Sequence, residues 1–135
     1  MKKKRWWALL VPVLWAGAIF VGSSLPGSSV QKLLWVSWDK VYHVVEFGVL
    51  AVAIAWALVR IRTTPWSPII LAIGFVISAV YAPLDEYHQS FVPGRDASLV
   101  DMAADWVGCI IGTVGAWGIR KLKNYESAIG GQVKN

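Results

Sequence analysis

Charge is scarce in this 135-residue chain: 16% of its residues are Asp, Glu, Lys or Arg, against about 25% in ordinary soluble domains. With 56% hydrophobic residues and a mean hydropathy of +0.53, that scarcity excludes a disordered chain and argues against a soluble one. Cysteine is rarer still. Cys109 stands alone in an apolar run, so neither a disulfide scaffold nor a thiolate metal centre is available, and it reads as a small core residue. The chain also lacks internal repeats and low-complexity stretches, and its length suits one domain of roughly 100–200 residues.

Long apolar runs are what it has. They cover Trp6 to Gly22, Val41 to Val59, Trp66 to Leu84 and Leu99 to Ile119, each near the roughly 20 residues that span a bilayer as a helix. Trp6, Trp7, Trp66 and Trp117 fall near one set of ends and Trp35, Trp38 and Trp106 near the other, as an aromatic belt would. The cations are divided just as unevenly. Lys2, Lys3, Lys4, Arg5, Arg60, Arg62, Arg120, Lys121, Lys123 and Lys134 lie at one level, while Asp39, Glu46, Asp85, Glu86, Asp96, Asp101 and Asp105 lie at the other with Lys32, Lys40 and Arg95. Because cytoplasmic loops carry the excess Lys and Arg, both termini are expected in the cytoplasm. The net charge of +5 is then a signal of orientation, and nucleic-acid binding is the lesser reading. The expected fold is an all-α membrane protein with four transmembrane helices, N-in and C-in, over residues 1–124, followed by a cytoplasmic tail over 125–135. Span one also has the charge pattern of a signal peptide ending near Val21-Gly22-Ser23, but its apolar run exceeds the usual 7–15 residues.

Short outer-surface helices are expected in the two external loops. In the first, Val30, Leu33, Leu34 and Trp38 follow Pro26-Gly27 at near-helical spacing. In the second, Pro83 predicts a kink or stop near Tyr81 and a new helix with Asp85 and Glu86 in its first turn. Pro93-Gly94 reads as a turn, and Ser98-Leu99-Val100-Asp101 as the N-cap of span four.

The remaining polar residues concentrate at the outer level. Asp39, His43 and Glu46 share one face of span two at i, i+4 and i+7, with Glu46 about 10 Å along the helix and inside the hydrocarbon. Asp101 and Asp105 share a face of span four, and Asp85, Glu86, His88 and Gln89 follow span three. Each has a bland reading beside a functional one. Asp39 and Asp101 suit helix starts, Asp96 and Ser98 suit turns or caps, and Lys40 and Arg95 can neutralise acids in a polar knot. His43 and Glu46 sit at no cap and are costly to bury, which favours function. Arg95, whose fork suits carboxylates, is expected to pair with Asp39, Asp85, Glu86 or Asp101. Tyr42, Tyr81, Tyr87 and Phe91 read as interface or core aromatics. Gly108 and Gly112 continue the Asp101–Asp105 face as a small-residue packing stripe, with Ala51 and Ala55 as the plausible mate and a homo-oligomer contact as the lesser option.

Taken together, Asp39-Lys40-x-x-His43-x-x-x-Phe47-x-x-Leu50 and Asp85-Glu86-x-x-Gln89-x-Phe91-x-Pro93-Gly94-Arg95-x-x-Ser98-x-x-Asp101, running into Gly108 and Gly112, resemble the VanZ-like family of small bacterial membrane proteins. Ser23-Ser24-x-Pro26 fits the same pattern, whereas Asp105 stands where the family pattern has Asn. The resemblance implies a cell-envelope protein, and the family's namesake is linked to teicoplanin tolerance. The candidate site comprises Asp39, His43, Glu46, Asp85, Glu86, Gln89, Arg95, Asp101 and Asp105. Its possible partners are the lipid bilayer and an envelope lipid or glycopeptide.

Four function classes follow. The site alters envelope chemistry and so lowers lipoglycopeptide sensitivity; or it belongs to a membrane-embedded enzyme in which a divalent cation on oxygen and imidazole ligands assists proton transfer to a lipid-linked or headgroup substrate. A proton-coupled carrier gains little support from four short spans without a repeat. Last, the acids serve only as a polar latch between helices.

Overall fold

The computed structural model describes residues 5–29, 39–63 and 65–132. A 3-10 turn over Trp6–Leu9 runs into helix α1, Leu10–Ser23; then follow α2, Asp39–Arg62; α3, Pro68–Gln89; and α4, Leu99–Gln132. The four apolar segments are long enough to cross a bilayer, and they expose Val13, Leu14, Ile69, Val80, Ile111 and Val114 outwards. In water that surface is unfavourable, and in lipid it costs nothing. α4 continues as helix beyond the 124 boundary expected from the sequence, as far as Gln132.

α2 is the central helix, packed most extensively on α4, then on α3 and α1. Its alanines at 51, 53, 55 and 57 are all buried, and their small side chains admit neighbouring backbones. Gly74 of α3 enters there: a Cβ on it would lie 2.6 Å from the Ala51 carbonyl oxygen and 3.1 Å from Ala55 Cβ. Ala51 and Ala55 therefore receive α3, and not the glycine stripe of α4. That stripe meets Val44 and Gly48, because a Cβ on Gly108 would run into the Val44 carbonyl and one on Gly112 into the Gly48 carbonyl. Gly108 and Gly112 thus serve a contact inside the bundle. Above it, Phe47, Leu50, Ala82, Ile19 and the free, buried Cys109 form the main apolar cluster.

Pro83 does not stop α3, which runs through it to Gln89, so of the expected kink or stop the stop is absent. A proline removes the N–H that would bond the carbonyl four residues earlier. Here Trp106 of α4 supplies the missing donor, its Nε1 bonding the Ala79 carbonyl at 3.0 Å. Asp85, Glu86 and Gln89 consequently form the last turn of span three and no separate external helix, and residues 90–98 hold only turns and irregular chain. In the first loop a helical turn covers residues 27–29, and the expected surface helix otherwise falls outside the described residues, as do Trp35 and Trp38.

The caps expected at Ser98 and the turn at Pro93-Gly94 are present. Ser98 Oγ accepts from Asp101 N at 3.2 Å, and Gly94 has φ +75°. Gly27 N donates to the Pro93 carbonyl at 3.1 Å. This fastens the chain after α1 to the loop between α3 and α4.

Candidate functional site

All nine candidate residues gather where α1 and α3 end and α2 and α4 begin. Asp39, His43, Glu46, Asp85, Gln89 and Arg95 line one cavity of about 250 Å³, with Gly22, Ser23, Leu25 and Tyr42 completing its wall. Helical spacing accounts for the α2 side, since residues at i, i+4 and i+7 stack on one face. The continuity of α3 through Pro83 accounts for the other, since it keeps Asp85 and Gln89 one turn apart on a rigid element.

Asp85 is 3% exposed and well supplied with donors. Ser23 Oγ donates to its Oδ1 at 2.6 Å, and Gln89 Nε2 to its Oδ2 at 2.9 Å. Arg95 departs from the sequence expectation, for it forms no ion pair with any acid among the described residues. Its Nη1 donates to Gln89 Oε1 at 3.1 Å, its Nη2 to the Gly22 carbonyl at 3.1 Å and its Nε to the Leu25 carbonyl at 3.3 Å. The reason lies at the end of α1, where the last carbonyls form the negative pole of the helix and the Gly22 carbonyl oxygen, although bonded to Leu25 N, retains a second lone pair. A guanidinium with five donors satisfies two of these carbonyls and Gln89 at once. Gln89 then relays the contact, holding Arg95 with its oxygen and Asp85 with its nitrogen.

The cation that does pair with acids is Lys40. Its Nζ contacts Asp101 Oδ1 and lies 3.2 Å from Asp39 Oδ2, joining the first turns of α2 and α4 at the rim. One turn deeper, His43 Nδ1 and Asp105 Oδ1 are 2.8 Å apart, both buried. Asp105 fixes the ring, while Nε2 makes no hydrogen bond among the described residues and the imidazole borders the cavity. Glu86, 5% exposed, uses Oε2 to accept from Ser98 N at 2.7 Å, so it also caps the start of α4. The second oxygens of both acids, Glu86 Oε1 and Asp105 Oδ2, are buried without a hydrogen-bond partner. Glu46 is half-buried on the cavity wall; its backbone carbonyl accepts from Trp15 Nε1 at 2.9 Å, while its carboxylate makes no hydrogen bond or ion pair among the described residues.

The sequence model of the VanZ/LLP1 family matches residues 2–120, nearly the whole helical bundle. The chain belongs to this family. No curated protein and no solved structure matches it. Membership joins with the four apolar helices in describing a multi-pass membrane protein, and the family match takes in every residue of the cavity wall.

Sequence reasoning missed four wall residues of this VanZ/LLP1-family site, Gly22, Leu25, Tyr42 and Ser23. Tyr42, read as an interface aromatic, lines the cavity; its spacing of i, i+4 to Glu46 carried the signal. Ser23, noted only within a motif, bonds Asp85 directly. His88, by contrast, stands apart from the cavity, stacked on Phe20 at 4.3 Å and hydrogen-bonded to Ser24 Oγ at 2.9 Å.

Proposed function

We propose that this chain is a multi-pass protein of the bacterial cell membrane, with both termini cytoplasmic, whose outward-facing cavity holds the polar headgroup of an envelope lipid. The observation that carries this reading is the cavity wall: Asp39, Glu46, Asp85 and His43 beside Arg95, at one end of helices whose outer faces are apolar. Such groups are expensive at membrane depth and mark sites that handle polar ligands. Volume decides what is handled. Drug-sized ligands occupy pockets of about 300–1,000 Å³, so a cavity of about 250 Å³ suits a headgroup and is far too small for a lipoglycopeptide. Tolerance of teicoplanin-type compounds would then follow from an altered envelope, not from capture of the drug.

A second reading, a membrane-embedded enzyme acting on that headgroup, draws on the His43–Asp105 pair. A carboxylate on Nδ1 orients an imidazole and leaves Nε2 free to move a proton at the cavity. The test is teicoplanin susceptibility of a sensitive bacterial host expressing wild-type protein, His43→Gln or Asp85→Asn, with membrane levels quantified. The expected outcome is protection by the wild type and none by either variant at equal abundance. Protection by His43→Gln equal to wild type would remove the cavity from the function.

A further inference from the structure

Two groups of acids share His43. In the first, Asp39, His43 and Asp101 each bring a ligand atom within 4.8 Å of the others. A cation is already there, because Lys40 Nζ contacts both carboxylates. In the second, His43, Glu86 and Asp105 bring ligand atoms equally close together, all three side chains are buried, and no lysine or arginine pairs with any of them among the described residues.

The groups also differ in their buried oxygens: in the first, Asp101 Oδ1 makes no hydrogen bond but contacts Lys40 Nζ, whereas the second has two such oxygens with no cation on either among the described residues. Glu86 is held through Oε2 by the Ser98 amide and Asp105 through Oδ1 by His43, so each acid is anchored by one oxygen. The other oxygen of each, Glu86 Oε1 and Asp105 Oδ2, is buried and unpartnered. Buried polar atoms are as a rule satisfied, and two orphaned carboxylate oxygens on acids that group around one imidazole call for a shared positive partner. Anchoring by one atom while another is offered is also how outer contacts orient metal ligands.

We propose that His43, Glu86 and Asp105 form a divalent-cation site, with one ring nitrogen and carboxylate oxygens as ligands. Two carboxylates and a neutral imidazole balance a charge of +2, and a mixed nitrogen and oxygen set suits a first-row transition ion such as Zn²⁺ or Mn²⁺. The ion sits behind the cavity wall, reached through the one residue that belongs to both, His43. It neutralises the two buried carboxylates behind an already acid-rich cavity. Metal binding itself stands independently of the headgroup reading.

The experiment uses full-length protein purified in detergent, stripped with chelator, reloaded with Zn²⁺ or Mn²⁺ and freed of excess ion. Metal content by mass spectrometry should reach one equivalent per chain. It should fall, with affinity down by at least about tenfold, in Glu86→Gln and Asp105→Asn, and persist in His88→Gln and Asp101→Asn. Because the variants alter buried residues, the wild type supplies a second readout: the electron spin-echo spectrum of bound Mn²⁺ should show coupling to one histidine nitrogen. Wild-type protein that retains no metal overturns the site. So does metal kept by Glu86→Gln and lost by Asp101→Asn, which would place the ion in the other cluster. Wild-type protein that binds metal yet gives no teicoplanin protection would count against the headgroup reading alone.

Discussion

At the end of the bundle where α1 and α3 finish, charged groups reach between helices: Lys40 to Asp101, His43 to Asp105, Arg95 to the carbonyls closing α1. At the opposite end two cations, Arg60 and Lys121, contact rings on their own helices. Arg60 lies 5.4 Å from the ring of Trp56 and Lys121 lies 4.1 Å from that of Trp117, each four residues away along its own helix. A cation over an adjacent ring needs only helical periodicity, so this end carries orientation without shaping the tertiary fold. Charges that cross between helices need the helices at a set distance and register. The two ends thus differ in how much of the bundle each charge depends on.

That dependence is tested most severely midway along α4. Gly108→Leu adds a side chain whose first carbon already meets the Val44 carbonyl, and overpacking of this sort costs about 1–3 kcal/mol or more. Thermal unfolding in detergent should show a large loss and membrane levels should drop. Gly115→Ala on the same helix, with nothing within 4 Å of the new carbon, should unfold at or slightly above the wild-type temperature. Equal losses in both would mean that the glycine contact does not set the spacing of α2 and α4.

Arg95→Ala comes next, because it removes three hydrogen bonds made by one charged group, each kind worth about 1.5–3 kcal/mol at most when buried. Arg95→Lys should recover little, since an ammonium cannot span Gly22, Leu25 and Gln89 together. Full recovery by lysine would reduce Arg95 to a plain counter-charge and make the two ends alike.

A smaller effect is expected for Trp106→Phe, which orphans the Ala79 carbonyl beside Pro83. Interhelical hydrogen bonds in membranes average about 0.6 kcal/mol, with about 1.7 at most. Pro83→Ala restores a backbone donor for that carbonyl, so the same Trp106→Phe change should cost less in that background. An identical cost in both backgrounds would detach the indole from the proline.

The smallest change should come from Lys121→Gln, about 0.5 kcal/mol or less in unfolding experiments. Orientation is read instead with a thiol probe. Ser28→Cys lies exposed at the acidic end, while Cys109 is fully buried and stays silent. The variant should label from outside intact cells, and labelling only after the membrane is opened would reverse the proposed topology.

Much of this was legible in the residues. Apolar runs of bilayer length set four helices, since the backbone must satisfy its own hydrogen bonds in lipid. Helical spacing put Asp39, His43 and Glu46 on one face and Asp101 with Asp105 on another, and both faces do meet. Local chemistry was enough for the Ser98 cap and the Gly94 turn.

What the sequence by itself could not assign was each group's partner. Pro83 reads as a break because periodicity cannot see an indole from another helix bonding the Ala79 carbonyl. Arg95 reads as a partner for acids because counting charge ignores the backbone carbonyls at the end of α1. Ala51 and Ala55 look like the mate for Gly108 until rotation about the helix axes delivers Val44 and Gly48 instead. Spacing along one chain fixes faces, but which face meets which atom is set by how the helices are rotated and offset against one another. Only that arrangement left Glu86 Oε1 and Asp105 Oδ2 facing inwards without a partner.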